Sequence, residues 1–349
     1  MSPVLSVLDP SPVFKGLSPS AALQETRALA EACDTLGYRS YWVQEHHNAT
    51  SFAGTAPEIL MADLAGRTRR LVLGSGGIML PNYSPLKVAE IGQTLSALYP
   101  GRIELGIGRA TGADPRTSAA LLGPGAATFP TMLRLLMDWV LDASGEVSMT
   151  ADHRAKGIAA HPAGPRPDLW VLCSSPSSAA FIGEMGLKIA FADFLSPGGA
   201  SEAVAAYRSH FKPSPFCAAP YAAMGRVALA APTEAKANHL AHTLLAWSQA
   251  RQAGRFEPYL TAQDAKTALQ TSENTSGVRK GQTQALLGTG HQVAKALLKE
   301  AKAADIDEVF VLTVADSLEA RIESYSLIMS AMAALRPQAP APSPNASIA

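Results

Sequence analysis

The chain has 349 residues, and its 29 Lys+Arg are balanced by 29 Asp+Glu. Net zero charge argues against a broad basic face for nucleic acid or anionic lipid, and 47% hydrophobic against 17% charged residues argues against a disordered chain. Cys33, Cys173 and Cys217 are widely spaced, form neither a disulfide framework nor a zinc pattern, and fit a reducing compartment, the cytoplasm.

In chain order, a short apolar strand is followed by an amphipathic helix, again and again. Strands are expected at 4–8, 40–44, 71–78, 103–107, 169–172, 188–192, 221–229 and 309–314. Helices are expected at 21–36, 57–67, 85–98, 131–141, 177–185, 199–211, 233–253, 291–304 and 317–335. Thr55 and Ser84 stand where they can cap helices that open on Pro57 and Pro85, and Gly37 and Gly186 stand where a left-handed residue stops one. The strands are apolar on both faces, as parallel strands covered by helices must be. Eight strands alternating with helices is the count of a single-domain (β/α)8 barrel over 1–335, the other arrangement being an open doubly wound sheet. Two stretches interrupt the pattern. Residues 142–167 read as an inserted loop, and 256–288, rich in Thr, Ser, Asn and Gln, as an excursion or mobile lid. The Pro/Ala-rich tail 336–349 is expected to be disordered. The opening segment carries no basic stretch followed by an apolar core, and no run is long enough to span a membrane.

In such a barrel the chemistry sits on loops at the carboxyl ends of the strands. Those loops begin with Asp9-Pro10, then Glu45-His46-His47-Asn48, Gly74-Ser75-Gly76-Gly77, Gly106-Ile107-Gly108-Arg109, Cys173-Ser174-Ser175-Pro176-Ser177-Ser178 and Asp193. One imidazole of the EHHN run can serve as general acid/base, since His titrates near working pH, or can hydrogen-bond a cofactor ring. The bland reading is a histidine bonded to a loop carbonyl. A metal is not expected, because adjacent residues leaving a strand point apart and no further His stands at a strand end. The serines after the fifth strand open a helix, and with Arg109 they suit a phosphate; as plain surface residues they would be a cap and a solvated cation. Cys173 as a nucleophile with His46 as base is a further reading, against that of a small buried residue. The strand-end glycines leave bare backbone for a flat ring, or simply make a bulge. Gly106-x-Gly108 with Gly112 has the wrong spacing and place for a dinucleotide fingerprint.

The segments LSVLDPSPV, WVQEHHN, GSGGIMLPNYSPLKVAE, LYPGRIELGIGRATGAD and SYSLIMSAM, in this order, resemble the bacterial luciferase-like flavin monooxygenases over nearly the whole chain. The resemblance implies a (β/α)8 barrel, reduced FMN as cosubstrate, O2, a separate flavin reductase, a homodimer, and oxygenation of a small or medium organic substrate through a C4a-peroxyflavin. It also implies His46 as the catalytic histidine with Glu45 beside it, and Gly76-Gly77 as a cis pair under the flavin ring. Gly108 takes the place of a cysteine reactive in luciferase itself, leaving more room. Arg109, Ser174, Ser175 and Ser178 would hold the phosphate, Ser174 standing where luciferase has a glutamate. Gln44, Cys173 and Asp193 depart from the subgroup's frequent Ala, Gly and His, and Asp193 is expected close to the pocket. An F420-dependent oxidoreductase on the same barrel, a non-catalytic flavin-binding protein and a metal-dependent hydrolase using His46 and His47 are the other readings.

Overall fold

Strands buried on both faces leave no solvent side for a sheet edge, and here the sheet removes its edges by closing on itself. The computed structural model describes residues 2–121, 128–255, 257–271 and 285–335. The first half runs β1 (Val4–Asp9), α1 (Pro19–Leu36), β2 (Ser40–Val43), α2 (Pro57–Arg67), β3 (Val72–Ser75), β4 (Ile78–Met79), α3 (Pro85–Leu98), β5 (Ile103–Gly108), α4 (Pro115–Leu121) and α5 (Phe129–Ser144). There follow β6 (Asp168–Cys173), α6 (Pro176–Glu184), β7 (Lys188–Ala192), α7 (Ala200–His210), β8 (Ala222–Ala230), α8 (Glu234–Leu240) and α9 (His242–Gln252). The chain closes with α10 (Ala262–Thr271), β9 (Leu286–Gly288), α11 (Gly290–Ala303), β10 (Glu308–Leu312) and α12 (Leu318–Leu335). The parallel order is β10-β1-β2-β3-β5-β6-β7-β8, and β8 pairs back to β10 from Ala223↔Glu308 to Val227↔Leu312. The result is the expected single-domain (β/α)8 barrel.

The interior is filled by Trp42, Trp170, Phe310, Leu8, Ala190 and Ala223. Trp42 lies 4.1 Å from the Phe310 ring and meets Trp170 edge-on at 5.3 Å. Its indole N–H donates to Glu104 Oε2 at 2.7 Å, so the one polar atom of this ring is satisfied. Two glycines exist for this tryptophan. A Cβ on Gly74 would stand 2.2 Å from its ring, and one on Gly106 would stand 3.0 Å from it and 2.1 Å from Ser75 O. The glycine of β3 read as backing for a ligand thus serves the barrel core. Arg39 bridges Glu104 at 2.7 Å and Glu308 at 3.1 Å, and Ser6 and Ser40 also bond to Glu308. Burial pushes the Glu104 carboxyl up, against the lowering effect of Arg39.

Several expectations change. The third strand, expected unbroken over 71–78, divides at a cis Gly76-Gly77 peptide bond; β4 beyond it pairs with β5. The helix expected over 233–253 divides into α8 and α9 at Ala241. Ala56, not Thr55, is the N-cap of α2, and Ser84 sits at the N-cap of α3 without a side-chain cap bond; Pro57 and Pro85 start these helices by their fixed φ alone. Gly37 and Gly186 are left-handed as expected. The loop after α5 has no further element before β6, and Trp139 Nε1 anchors it by donating to Ile158 O at 3.0 Å. Residues 256–288 hold α10 and β9 in their described part; 256, 272–284 and the tail 336–349 lie outside the described residues. Among the described residues no helix is long and apolar enough to cross a membrane.

Candidate active site

The carboxyl ends of the strands surround a cavity of about 1070 Å³. Its wall brings together His46, Gly76, Gly108, Arg109, Ser174 and Ser178, which are far apart in sequence. Glu45, Gly77 and Ser175 stand behind that wall. Side chains leaving a strand alternate in direction, and Glu45 turns inward to full burial. There it accepts from Met79 N at 3.0 Å, Asn82 Nδ2 at 2.9 Å and His47 Nε2 at 2.8 Å. It therefore ties the β2 and β4 loops together. Gly77 is packed tightly: a Cβ there would lie 2.6 Å from Gly106 O.

The backbone N–H of His46 donates to Gly54 O at 2.9 Å, and its ring stacks on Phe52 at 4.4 Å and 24°. Its Nε2 is 3.3 Å from Gln44 Oε1, so the Gln44 amide sets which ring nitrogen carries the proton. Burial pushes the His46 pKa down to about 4, helped by the nearby charges of Arg251 and His47. The ring is therefore neutral at pH 7 and offers both an N–H and a lone pair. A depressed histidine binds a proton in the unfolded chain before it does in the native one. Between pH 6.5 and about 4 the unfolded state holds the extra proton, and stability falls as pH is lowered through that window. The full shift sets an upper bound of about 3 kcal/mol, and water in the open cavity reduces it to about 1–2 kcal/mol. Urea midpoints of wild type and His46→Gln at pH 4.5 and 6.5 measure this: the variant should lose less stability on acidification. Equal losses would mean that the ring is not held in its neutral form.

At the other end, Ser175 is the N-cap of α6, and its Oγ accepts the Ser178 N–H at 3.3 Å while donating to Ser178 Oγ at 3.0 Å. Ser174, Ser177 and Ser178 face the cavity in front of it. Arg109 is exposed and, among the described residues, makes no ion pair. This is a helix start with a nearby guanidinium, a suitable anion holder. Gly108 does not leave empty space: a Cβ there would stand 2.5 Å from Met79 Sδ, and Met79 itself lines the cavity. Cys173 also lines it, but burial pushes its thiol up to about 12, so it stays protonated and no nucleophile forms. Asp193, expected near the pocket, points outward instead. It is 3.4 Å from Arg226 Nη1 and accepts from Gly198 N at 3.0 Å, while its neighbours Ala192 and Phe194 reach the cavity. Among the described residues no group of three His, Cys, Asp or Glu side chains could hold a metal ion.

The profile of the luciferase-like monooxygenases matches residues 5–307. The chain belongs to that family. It is 34% identical to the luciferase-like monooxygenase of Escherichia coli (strain K12), over 93% of this chain and 95% of that one. It is 30% identical to the N-acetyl-S-alkylcysteine monooxygenase of Bacillus subtilis (strain 168), over 95% and 99%. The apo-MsnO8 crystal structure superposes with a TM-score of 0.84 at 33% identity, covering 95% of this chain and 98% of that one. At lower identity the barrel is shared with structures of different cofactor. One is the oxygenating constituent of 3,6-diketocamphane monooxygenase in complex with FMN (TM-score 0.70, 17% identity, 96% and 99% covered). Another is an F420-dependent secondary alcohol dehydrogenase (TM-score 0.63, 16% identity, 95% and 99% covered).

In this luciferase-like chain, sequence reasoning missed the wall made by Phe52, Leu244, Trp247, Arg251 and Tyr259. A signal existed: Leu244, Trp247 and Arg251 fall at i, i+3 and i+7, one face of a helix. Nothing in the sequence says that this side of α9 looks into the barrel mouth.

Proposed function

We propose that this luciferase-like monooxygenase binds reduced FMN and uses it with O2 to oxygenate a small or medium organic acceptor. The observation that carries the reading is that one cavity contains His46, bare backbone at Gly76 and Gly108, and the Arg109–Ser178 anion holder. The donor set fits the group. Arg109, the hydroxyls of Ser174, Ser177 and Ser178 and the Ser177 N–H would bind its phosphate, while Ser175 takes the Ser178 N–H and fixes the helix start. Gly76 and Gly108 would lie beneath the ring, where Met79 limits the space. When bound in its reduced form, FMN supplies the two electrons that split O2, one oxygen atom going to the acceptor and the other to water. His46, neutral at pH 7, takes up or returns a proton at Nδ1, the nitrogen not engaged by Gln44. The Phe52, Trp247 and Tyr259 rings keep water from the reacting end, and Glu45 positions the loop that carries Met79 and Asn82. A separate flavin reductase, a homodimeric assembly and a cytoplasmic setting belong to the same reading.

Anaerobic titration of the protein with reduced FMN and with reduced F420, followed by an 18O2 product screen with a generic reductase, tests it. Tighter FMN binding and 18O in a product are expected, with turnover lowered about 10²–10⁴-fold in His46→Ala. Preference for F420, or 18O-free products throughout, would overturn the proposal.

A further inference from the structure

The α9 side of the cavity has a chemistry that the anion holder near Arg109 does not use. Trp247 and Tyr259 stack at 5.1 Å and 22°, and Phe52 meets both edge-on, at 5.7 and 6.1 Å. Trp247 Nε1 donates to Ser51 Oγ at 2.9 Å, so the indole is fixed and has no polar group left to offer. Over this ring, 5.3 Å from its centroid, lies the guanidinium of Arg251. Arg251 lines the cavity and, among the described residues, has no carboxylate partner. The one acidic residue of the wall, Asp114, is occupied by Asn48 and Thr117. The cavity therefore presents two arginines, Arg109 on the loop after β5 and Arg251 on α9.

We propose that this wall is the acceptor subsite and selects an anionic substrate, its apolar body lying along the Phe52, Leu244 and Trp247 side chains and its carboxylate held by Arg251. Arg251 is exposed at the cavity mouth, and a guanidinium lying over an aromatic face still presents parallel N–H donors that a carboxylate can take up as a pair. A neutral molecule of the same shape gains the ring contact alone. The naming of the ligand as acceptor rests on the flavin reading; its preference for an anion does not.

The test uses the full chain without flavin. Binding of 2-naphthoate and of 2-naphthalenemethanol is measured by calorimetry, for wild type, Arg251→Gln and Arg109→Met. Naphthoate should bind at least tenfold more tightly than the alcohol in wild type and in Arg109→Met. In Arg251→Gln the two probes should come within about twofold of each other, with the alcohol's affinity unchanged. Equal affinities in wild type, or a preference that survives Arg251→Gln, would overturn the assignment. A preference lost in Arg109→Met alone would place the anion at the phosphate end and overturn it as well. Reduced FMN titrated in parallel separates the two readings. Naphthoate preference without FMN binding would remove the flavin and keep the subsite; FMN binding without the preference would remove only the subsite.

Discussion

Asp9→Leu is expected to lower folding stability by about 3–5 kcal/mol, although the new residue is apolar and of comparable size. Both Asp9 and Arg321 are fully buried, with Oδ1 2.6 Å from Arg321 Nη2. The same carboxylate accepts from Ser11 N at 3.0 Å and Thr26 Oγ1 at 2.9 Å, and from the Tyr41 hydroxyl. Removing it takes away the acceptor of Ser11 N and of the Tyr41 hydroxyl, and the ion-pair partner of a fully buried guanidinium. Asp9 is the one carboxylate in direct contact with Arg321 among the described residues, and the Arg321 Nε and Nη1 already lack hydrogen-bond partners. Removing one member of a buried pair is far worse than removing both, because an uncompensated charge remains. Asp9→Leu with Arg321→Met should therefore recover a large part of the loss, short of full recovery because Ser11 N and the Tyr41 hydroxyl still lose the Asp9 acceptor, whereas Thr26 Oγ1 keeps Ser11 Oγ at 2.9 Å. Urea denaturation midpoints at constant slope give the numbers. A single-variant loss below about 1 kcal/mol would show that water reaches the guanidinium and that the pair is not closed.

That pair also shows where reading a sequence stops. Asp9 stands at the end of a predicted strand and was grouped with the rim, yet only Pro10 beside it reaches the cavity. The same alternation puts Asp193 behind the wall and Ala192 on it. Strand ends were legible because parallel strands are short, apolar on both faces and bounded by Gly, Pro and polar residues. The face on which each strand-end side chain emerges was not, since a shift of one residue exchanges inside for outside. The EHHN run illustrates both: its place at the rim follows from the pattern, but the division of labour between Glu45 and His46 depends on the pleat. Gly74 departs from its expected part for a different reason. A glycine shows that something comes close, and only the three-dimensional neighbour, here Trp42, says what. Leu244, Trp247 and Arg251 share one face of α9, but that facing is set by tertiary packing, and Phe52 and Tyr259 stand on connecting segments, so their convergence on the cavity could not be read locally.

Arg109→Met is expected to weaken binding of reduced FMN by about 100-fold, or about 2–3 kcal/mol, while leaving the fold intact. The side chain is exposed and makes no ion pair among the described residues, so its loss removes no packing and strands no buried charge. What it removes is a charge-assisted contact to a dianion that otherwise meets only hydroxyls and helix N–H groups. Arg109→Lys should retain part of the affinity, since an ammonium keeps the charge but not the planar pair of donors. The decisive comparison is with riboflavin, which has the same ring and no phosphate. Wild type should favour FMN strongly, and Arg109→Met should bring the two ligands close together by weakening FMN alone. The wild-type preference should also shrink at high salt, because the arginine is open to solvent. If Arg109→Met keeps its discrimination between FMN and riboflavin, the phosphate is not at the β5 and α6 loops, and the ring cannot lie over Gly76 in the way proposed. If both ligands weaken equally, the arginine acts on the ring or on the loop that carries it, and the anion-holder reading fails while the cavity assignment stands.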